Sequence, residues 1–531
     1  VNQSNNEKKN NSRRGWLIFA ASVILVLIAI TIALSIFAEP MLKDRIEVEA
    51  NEALGPEMEL VIGELSIGYL PLSVTFYDVE LYSLNGNETD LEWPNSKIDR
   101  IHVSGIGLRN LIFDQNFSSR NIEISRAELH LVPDLLAEIQ TENDTDNDDT
   151  EIEIGRISLS DSSMSIYRTE SDQPHTVIGG IRLALTDLKV TPEKERMYDM
   201  IGSLDMHVGS VSHLMEDGHY EMRTADVWFN LNSRDLSVEQ FELIPLLDLH
   251  ELPEAIGHEI DHFDISSQKI NIRGIDVEKW FDSEIISFNA IELNDLAVEI
   301  SRDKNHPDKP RTVDPLLNEQ FANIEIETSI DSLLWKGGHL IYREMEEGQD
   351  KFGEILFDDI DIIFLGLQNR NPDETIRASA RTKFMGLADF EIEFEFFLED
   401  NATQKINGSL GQMDLKELNT VLEPLAFVRV DEGDLNSMSF EFTATNKGAQ
   451  GELLIVYDNL SIKILDEATL ERTTKRDIVS FFANLIAIRS SNDGSDPRKG
   501  EIEIEREEDR SMFTYWWHIL RDGLMSSVSR V

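Results

Sequence analysis

The sequence predicts a mainly β protein whose strands pair mostly antiparallel, standing behind one N-terminal transmembrane helix and interrupted by a few short helices. Three observations predict it. Gly15 to Ala38, "GWLIFAASVILVLIAITIALSIFA", carries no charged residue. Period-two alternation of apolar and polar residues recurs through most of the remaining chain. In "EIEFEFF" it puts Ile392, Phe394 and Phe396 on one face and Glu391, Glu393 and Glu395 on the other, the pattern of a strand with one face on apolar material and one in water. Finally, 100 Asp+Glu against 48 Lys+Arg give a formal charge of −52, which keeps a large sheet surface soluble and discourages edge-to-edge pairing.

The anchor comes first. At about 1.5 Å per residue, residues 15–38 span roughly 36 Å, enough to cross a bilayer with some tilt. A cleavable signal peptide has an apolar region of only about 7–15 residues, so the run reads as a retained single-pass anchor. Lys8, Lys9, Arg13 and Arg14 precede it, and the positive-inside rule puts this basic tail, residues 1–14, in the cytoplasm. No later stretch approaches this length, so the bulk of the chain is expected on the other side. With Glu7 counted, the tail carries +3 and leaves −55 for the rest.

A short helix follows over 39–54, with Pro40 near its first turn and Gly55–Pro56 ending it. Strand patterns then run through an N-terminal β region, 55–140, a long middle region, 151–400, and a C-terminal β region with helices, 401–510. "EIEIGRISLS" (151–160), "QKINIRG" (268–274) and "EIEIERE" (501–507) alternate like "EIEFEFF". Buried parallel strands would read as continuous apolar runs. A strand–turn–strand unit recurs at uneven spacing in "ISLSDSSMSIYR" (157–168), "IELNDLAVEISR" (291–302) and "LLWKGGHLIYR" (333–343), predicting a meander of similar hairpins. Loops are expected at 141–150, 303–314 and 491–500, and helices at 414–424, 473–488 and 511–530. Two arrangements bury so many one-sided strands: closed sandwiches in series, or one long sheet curled into a trough. Periodicity does not choose between them.

The order of elements resembles the AsmA-like family of Gram-negative envelope proteins. "GPEMELVIGELSIGYLPLSVTFYDVELYS" (55–83) is similar to the family's opening pattern, with Leu70-Pro71 leading to Val74, Phe76, Asp78, Val79 and Leu81. "VEISRDKNHPDKP" (298–310) followed by "IEIETSIDSLLWKGGHLIYREMEEG" (324–348) resembles a subgroup pattern. "INGSLGQMDLKELNTVLEPL" (406–425) and "GELLIVYDNLSIKILD" (451–466) look similar to its C-terminal part. The resemblance implies an elongated, curled β-groove related in architecture to bridge-like lipid-transfer proteins, and a non-enzymatic role in phospholipid movement or outer-membrane homeostasis. It also implies an inner-membrane, periplasm-facing location, and no cofactor. About 20–24 strands at ~4.8 Å would make a trough on the order of 100 Å. Residues expected to line it are Val74, Phe76, Ile152, Ile154, Ile392, Phe394 and Phe396. The rival expectation is a structural protein of closed sandwiches that binds another envelope protein through its acidic faces.

Composition excludes other classes. Nucleic-acid binding needs clustered Lys/Arg to release counterions. With no cysteine there are no disulfides, thiol nucleophiles or thiolate metal sites. "GHEIDH" (257–262) contains the His-Glu-x-x-His spacing of zinc proteases, but Gly257 interrupts the only helix-compatible stretch and strand alternation starts at once, so it reads as a polar turn entering a strand. "DTDNDDTE" (144–151) opens like a calcium loop yet has Asp149 and Gly155 where Gly and Glu are required, so it reads as a solvated acidic loop. Neither a nucleophile elbow nor a phosphate loop is present. In the C-terminal "SMFTYWWHILRDGLMSSVSRV" (511–531), Phe513, Trp516, Trp517, Leu520, Leu524 and Val528 form a helical stripe. It suits a helix capping the end of the sheet, or one whose Trp516 and Trp517 meet a membrane interface.

Overall fold

A computed structural model of the chain describes residues 39–52, 54, 58–83, 95–107, 116–132, 151–168, 171–191, 197–371, 374–398, 401–465, 489–494 and 496–529. The expected anchor at 15–38, the acidic loop at 144–150 and the helix at 473–488 lie outside these residues. No helix among the described residues is long and apolar enough to cross a membrane.

Twenty strands belong to one hydrogen-bonded sheet, so serial closed sandwiches are not what forms. The chain divides into two compact units, residues 1–209 and 210–531. The first holds β1 (Met58–Tyr69), β2 (Leu72–Ser83), β3 (Ser96–Ser104), β4 (Phe117–Leu131), β5 (Ile152–Tyr167), β6 (Pro174–Val190) and the start of β7 (Ser203–Leu214). The second continues with β8 (Tyr220–Asn230), β9 (Asp235–Pro245), β10 (Asp261–Arg273), β11 (Ile286–Asp303), β12 (Thr328–Met345), β13 (Phe352–Gln368), β14 (Thr375–Phe384) and β15 (Ala388–Phe397). It closes with β16 (Gln404–Leu410), β17 (Met413–Asp414), β18 (Val428–Ala444), β19 (Gly448–Ile464) and β20 (Lys499–Glu505).

Among the pairings described, two steps run parallel, β4–β5 and β11–β12, and the others are antiparallel. A parallel step cannot be made by a tight hairpin and needs a crossover. The one between β11 and β12 is residues 304–327, which include a short helix, Leu317–Ala322. The loop expected at 303–314 forms its first half.

The expected hairpins are not hairpins. Residues 157–168, 291–302 and 333–343 lie almost wholly within the single strands β5, β11 and β12. The Asp or Gly at each centre holds positive φ without reversing the chain. Among the described residues nine strands carry one non-glycine residue of this kind, with φ between 46° and 55°: Asp78, Arg126, Asp161, Asp187, Asp226, Gln240, Asp295, Asp359 and Asn459. Asp and Asn tolerate the left-handed region better than other side chains. One such residue shifts the in–out alternation by one position, as a β-bulge does.

In β11, Ile291 and Leu293 precede Asp295, whereas Leu296, Val298 and Ile300 follow it. The polar side shifts with them, because Glu292 pairs with Lys336 at 3.2 Å and Glu299 with Arg343 at 2.6 Å. Each long strand thus bends yet keeps its apolar residues on one face. Asp295→Val should cost roughly 1–3 kcal/mol, because a β-branched residue is strained at this φ, while Asp295→Asn stays within about 0.5 kcal/mol. Denaturant midpoints measure both, and equal midpoints for the two variants would refute the assignment.

Both sheet edges are capped by helices through side chains. In the first unit, the predicted short helix forms as α1 (residues 39–52). Glu39, Glu47 and the Asn51 side-chain carbonyl accept hydrogen bonds from the β1 backbone N–H groups of Ile67, Ile62 and Leu60, at 2.9, 2.6 and 2.6 Å. At the other edge the C-terminal helix, Met512–Val528, accepts from β20: Glu503 N–H donates to Asp522 and Glu501 N–H to Ser526, each at 3.0 Å. Unpaired edge groups would otherwise template association with another chain.

Short helices complete the second unit: α2 (Glu251–Ile256), α3 (Val277–Ser283), α4 (Leu317–Ala322), α5 (Asn419–Ala426) and α6 (Met512–Val528). The expected helix at 414–424 appears as a 3-10 turn, Leu415–Leu418, running into α5.

Candidate functional site

Strand registers define the apolar face. In the second unit one row passes through Val227, Val238, Ile270, Leu293, Trp335 and Ile362, each directly opposite the next across β8 to β13. It continues through Ala380, Ile392, Gly408, Phe440, Leu453 and Gly500 across β14 to β20. The two halves differ in cover. Ala380, Phe440 and Leu453 are buried and Ile392 packs against the same core. All six residues from Val227 to Ile362 are only half-buried. None of the six belongs to, or packs against, the buried clusters among the described residues. Their flanks are shielded by sheet neighbours while part of each side chain stays in solvent.

Helices supply the cover: Leu415, Leu418 and Leu422 join this core, and α6 covers the last strands. It lays Met512, Tyr515, Ile519 and Val528 into the core of the last strands. Trp516 stacks on Phe394 with ring centroids 5.3 Å apart, and its indole N–H donates to the fully buried Gln404 at 2.9 Å. The Tyr515 phenol, its pKa pushed up to about 12 by burial, donates to the Thr445 carbonyl at 3.1 Å. The C-terminal stripe therefore caps the end of the sheet, and of the two expected membrane-interface residues Trp516 packs against this core. Trp517 is 50% exposed and Phe513 67%.

In the first unit two adjacent rows carry the expected residues of β2. One runs Ile67, Val74, Val103, Ile122, Ile157, Leu185, and the other Leu65, Phe76, Ile101, Ile124, Leu159, Leu183. Of these only Leu65, near α1, is buried; the rest are half-buried.

The structure therefore separates the seven groove candidates. Val74, Phe76 and Ile152 are half-buried, and Ile154 is buried at the β5–β6 pairing opposite Leu188. Ile392, Phe394 and Phe396 share the apolar face but are packed into cores that include α6 residues. Sequence reasoning nominated these three because their alternation is the cleanest, and missed Leu293 and Trp335, whose pattern is interrupted by Asp295 and Gly337.

The parallel crossover is held by a polar knot. Arg302 makes a bidentate pair with Asp261, at 2.7 and 2.6 Å. Burial lowers the Arg302 pKa, but the carboxylate more than offsets this and the net direction is up. Lys304 reaches Glu344 and Glu346, the latter at 3.0 Å, and the Tyr342 hydroxyl donates to Glu344 at 2.7 Å. Burial, then that carboxylate, raises the Tyr342 pKa.

Asp261 belongs to "GHEIDH", and within that motif it has the clearest structural role, opening β10 and anchoring Arg302. α2 ends before Gly257, and His262 sits in β10 with Nε2 3.1 Å from the Leu247 carbonyl. His258 and His262 thus share no helix face, and the zinc-protease geometry is not formed.

The sequence matches no protein-family model, and no curated protein matches it.

Proposed function

We propose that the protein holds or conducts phospholipid acyl chains along the uncovered part of its apolar sheet face, without a chemical step. The observation that carries this reading is the contrast along one row, half-buried from Val227 to Ile362 and largely packed from Ala380 onward, where α6 lies on the last strands. Contiguous apolar surface left open outside a membrane marks an interaction site, and each methylene shielded on it is worth about 0.8 kcal/mol. About a dozen methylenes of one acyl chain would supply on the order of 10 kcal/mol before ordering costs.

The anchor expected at 15–38 and the resemblance to AsmA-like proteins suit the same reading. On this proposal the work is done at the periplasmic side of an inner membrane, in lipid supply or homeostasis of the outer membrane. The acidic opposite face keeps the sheet apart from anionic lipid surfaces, so lipid contact is confined to the apolar side.

The test is photo-crosslinking in cells. A photoreactive phenylalanine analogue replaces Leu293, Trp335 or Phe76 on the open face, and Glu393 or Arg377 on the polar face. Phospholipid adducts are expected at the first three positions and not at the last two. Capture of protein but no lipid at Leu293 and Trp335 would favour the envelope-partner reading instead. Phe394→Glu, which strand alternation alone nominates, does not test the face, because it sets a carboxylate against Trp516 inside the core.

A further inference from the structure

We infer that His250, Asp303 and His306 form a binding site for a divalent transition metal, with zinc the best fit. His250 precedes α2 in the β9–β10 connection. Asp303 is the last residue of β11, and His306 lies three residues into the crossover. Asp303 Oδ2 is 2.9 Å from His250 Nδ1 and 3.7 Å from His306 Nε2. One ligand atom from each residue lies within 4.8 Å of the other two. Around a tetrahedral ion with bonds of about 2.0–2.1 Å, ligand atoms sit roughly 3.3 Å apart, so the two carboxylate–imidazole distances bracket the required edge. Small side-chain adjustments complete the triad, with a fourth position for water.

The support around the carboxylate is that of a ligand. Its side chain is 3% exposed, and Oδ1 accepts from the Asn305 backbone N–H at 2.9 Å and the Asn305 side-chain amide at 2.8 Å. Those bonds aim Oδ2 at the two imidazoles, the kind of outer-shell orientation that metal carboxylates receive. Among the described residues no lysine or arginine pairs with Asp303, and the adjacent Lys304 is engaged by Glu344 and Glu346. A buried carboxylate facing two imidazoles lacks a full counter-charge that a dication supplies. Two imidazole nitrogens and one carboxylate favour zinc and its neighbours over calcium and magnesium, which prefer all-oxygen shells. The bound ion would tie the β9–β10 connection to the start of the parallel crossover.

The test uses the full chain in detergent, dialysed against micromolar zinc with millimolar magnesium to occupy the many surface carboxylates. Metal per chain is then measured by elemental analysis, and cobalt substitution reports ligand type through its visible absorption. One tightly held zinc per chain is expected. Loss of a direct ligand should weaken it at least as much as loss of an outer-shell partner, roughly 10–100-fold, in both His306→Ala and His250→Gln. The His250 side chain is 64% exposed, so His250→Gln stays folded even where His306→Ala does not. His262→Gln, at the motif that forms no site, should keep the zinc. A folded wild-type chain that holds no zinc above the magnesium-competed background would overturn the assignment, as would zinc retained undiminished by His250→Gln.

Discussion

Gly338→Ala is expected to remove a large part of the stability of the C-terminal unit. Gly338 has φ of 93° in the middle of β12, and a Cβ there would lie 2.1 Å from the Leu296 carbonyl oxygen and 2.8 Å from the Leu296 nitrogen. Both obstacles are backbone of the parallel neighbour β11 and cannot rotate away. The left-handed backbone costs an alanine roughly 1–2 kcal/mol, and forced overpacking adds about 1–3 kcal/mol or more. A total of roughly 2–5 kcal/mol is a large part of the 5–15 kcal/mol typical of a folded domain. Gly218→Ala is the matched control: its φ is 72° and nothing lies within 4 Å of the new Cβ, so about 1 kcal/mol is expected. Denaturant midpoints at unchanged slope give both values. Similar midpoints for the two variants would mean that β11 and β12 do not approach as described.

Trp516→Ala should cost about 3–5 kcal/mol, the range for deleting a core aromatic, because the ring fills space against Phe394 and its N–H satisfies Gln404. Gln404 also donates to Asn318 at 3.0 Å, so its orphaned carbonyl cannot turn outward without breaking a second bond. An unsatisfied buried acceptor costs about 1–3 kcal/mol. Loosening α6 should also free the N–H groups of Glu501 and Glu503, so amide exchange across β20 should quicken. Trp517→Ala, one residue along and half exposed, should change stability by about 0.5 kcal/mol. Equal effects from the two tryptophans would refute the packing of α6, and with it the sealed end of the apolar face.

Much of the strand content was legible locally. Ile392, Phe394 and Phe396 announce a strand by period two, and Val74 and Phe76 lie on the face their alternation assigns. The same reasoning failed at Asp161, Asp295 and Gly337–Gly338 for a definite reason. A residue in the left-handed region looks alike in sequence whether it sits in a two-residue turn or in a strand that bends and continues. The choice is made by the neighbouring strand: Leu296 faces Gly338, and Val298, Glu299 and Ile300 go on pairing with Leu340, Ile341 and Tyr342, so the chain has no freedom to reverse.

The sequence by itself determined three things: an acidic, cysteine-free chain, one long apolar segment near its start, and many strands with one apolar face each. Tertiary structure alone decided how that face is covered. α6 seals the strands nearest the C-terminus because residues more than a hundred positions apart, Gln404 and Trp516, meet through a hydrogen bond that no local pattern encodes. His250 and His306 reach Asp303 because Asp261 pairs with Arg302 across β10 and β11. Periodicity specifies which way a side chain points, while cover and convergence depend on which distant segment arrives opposite it.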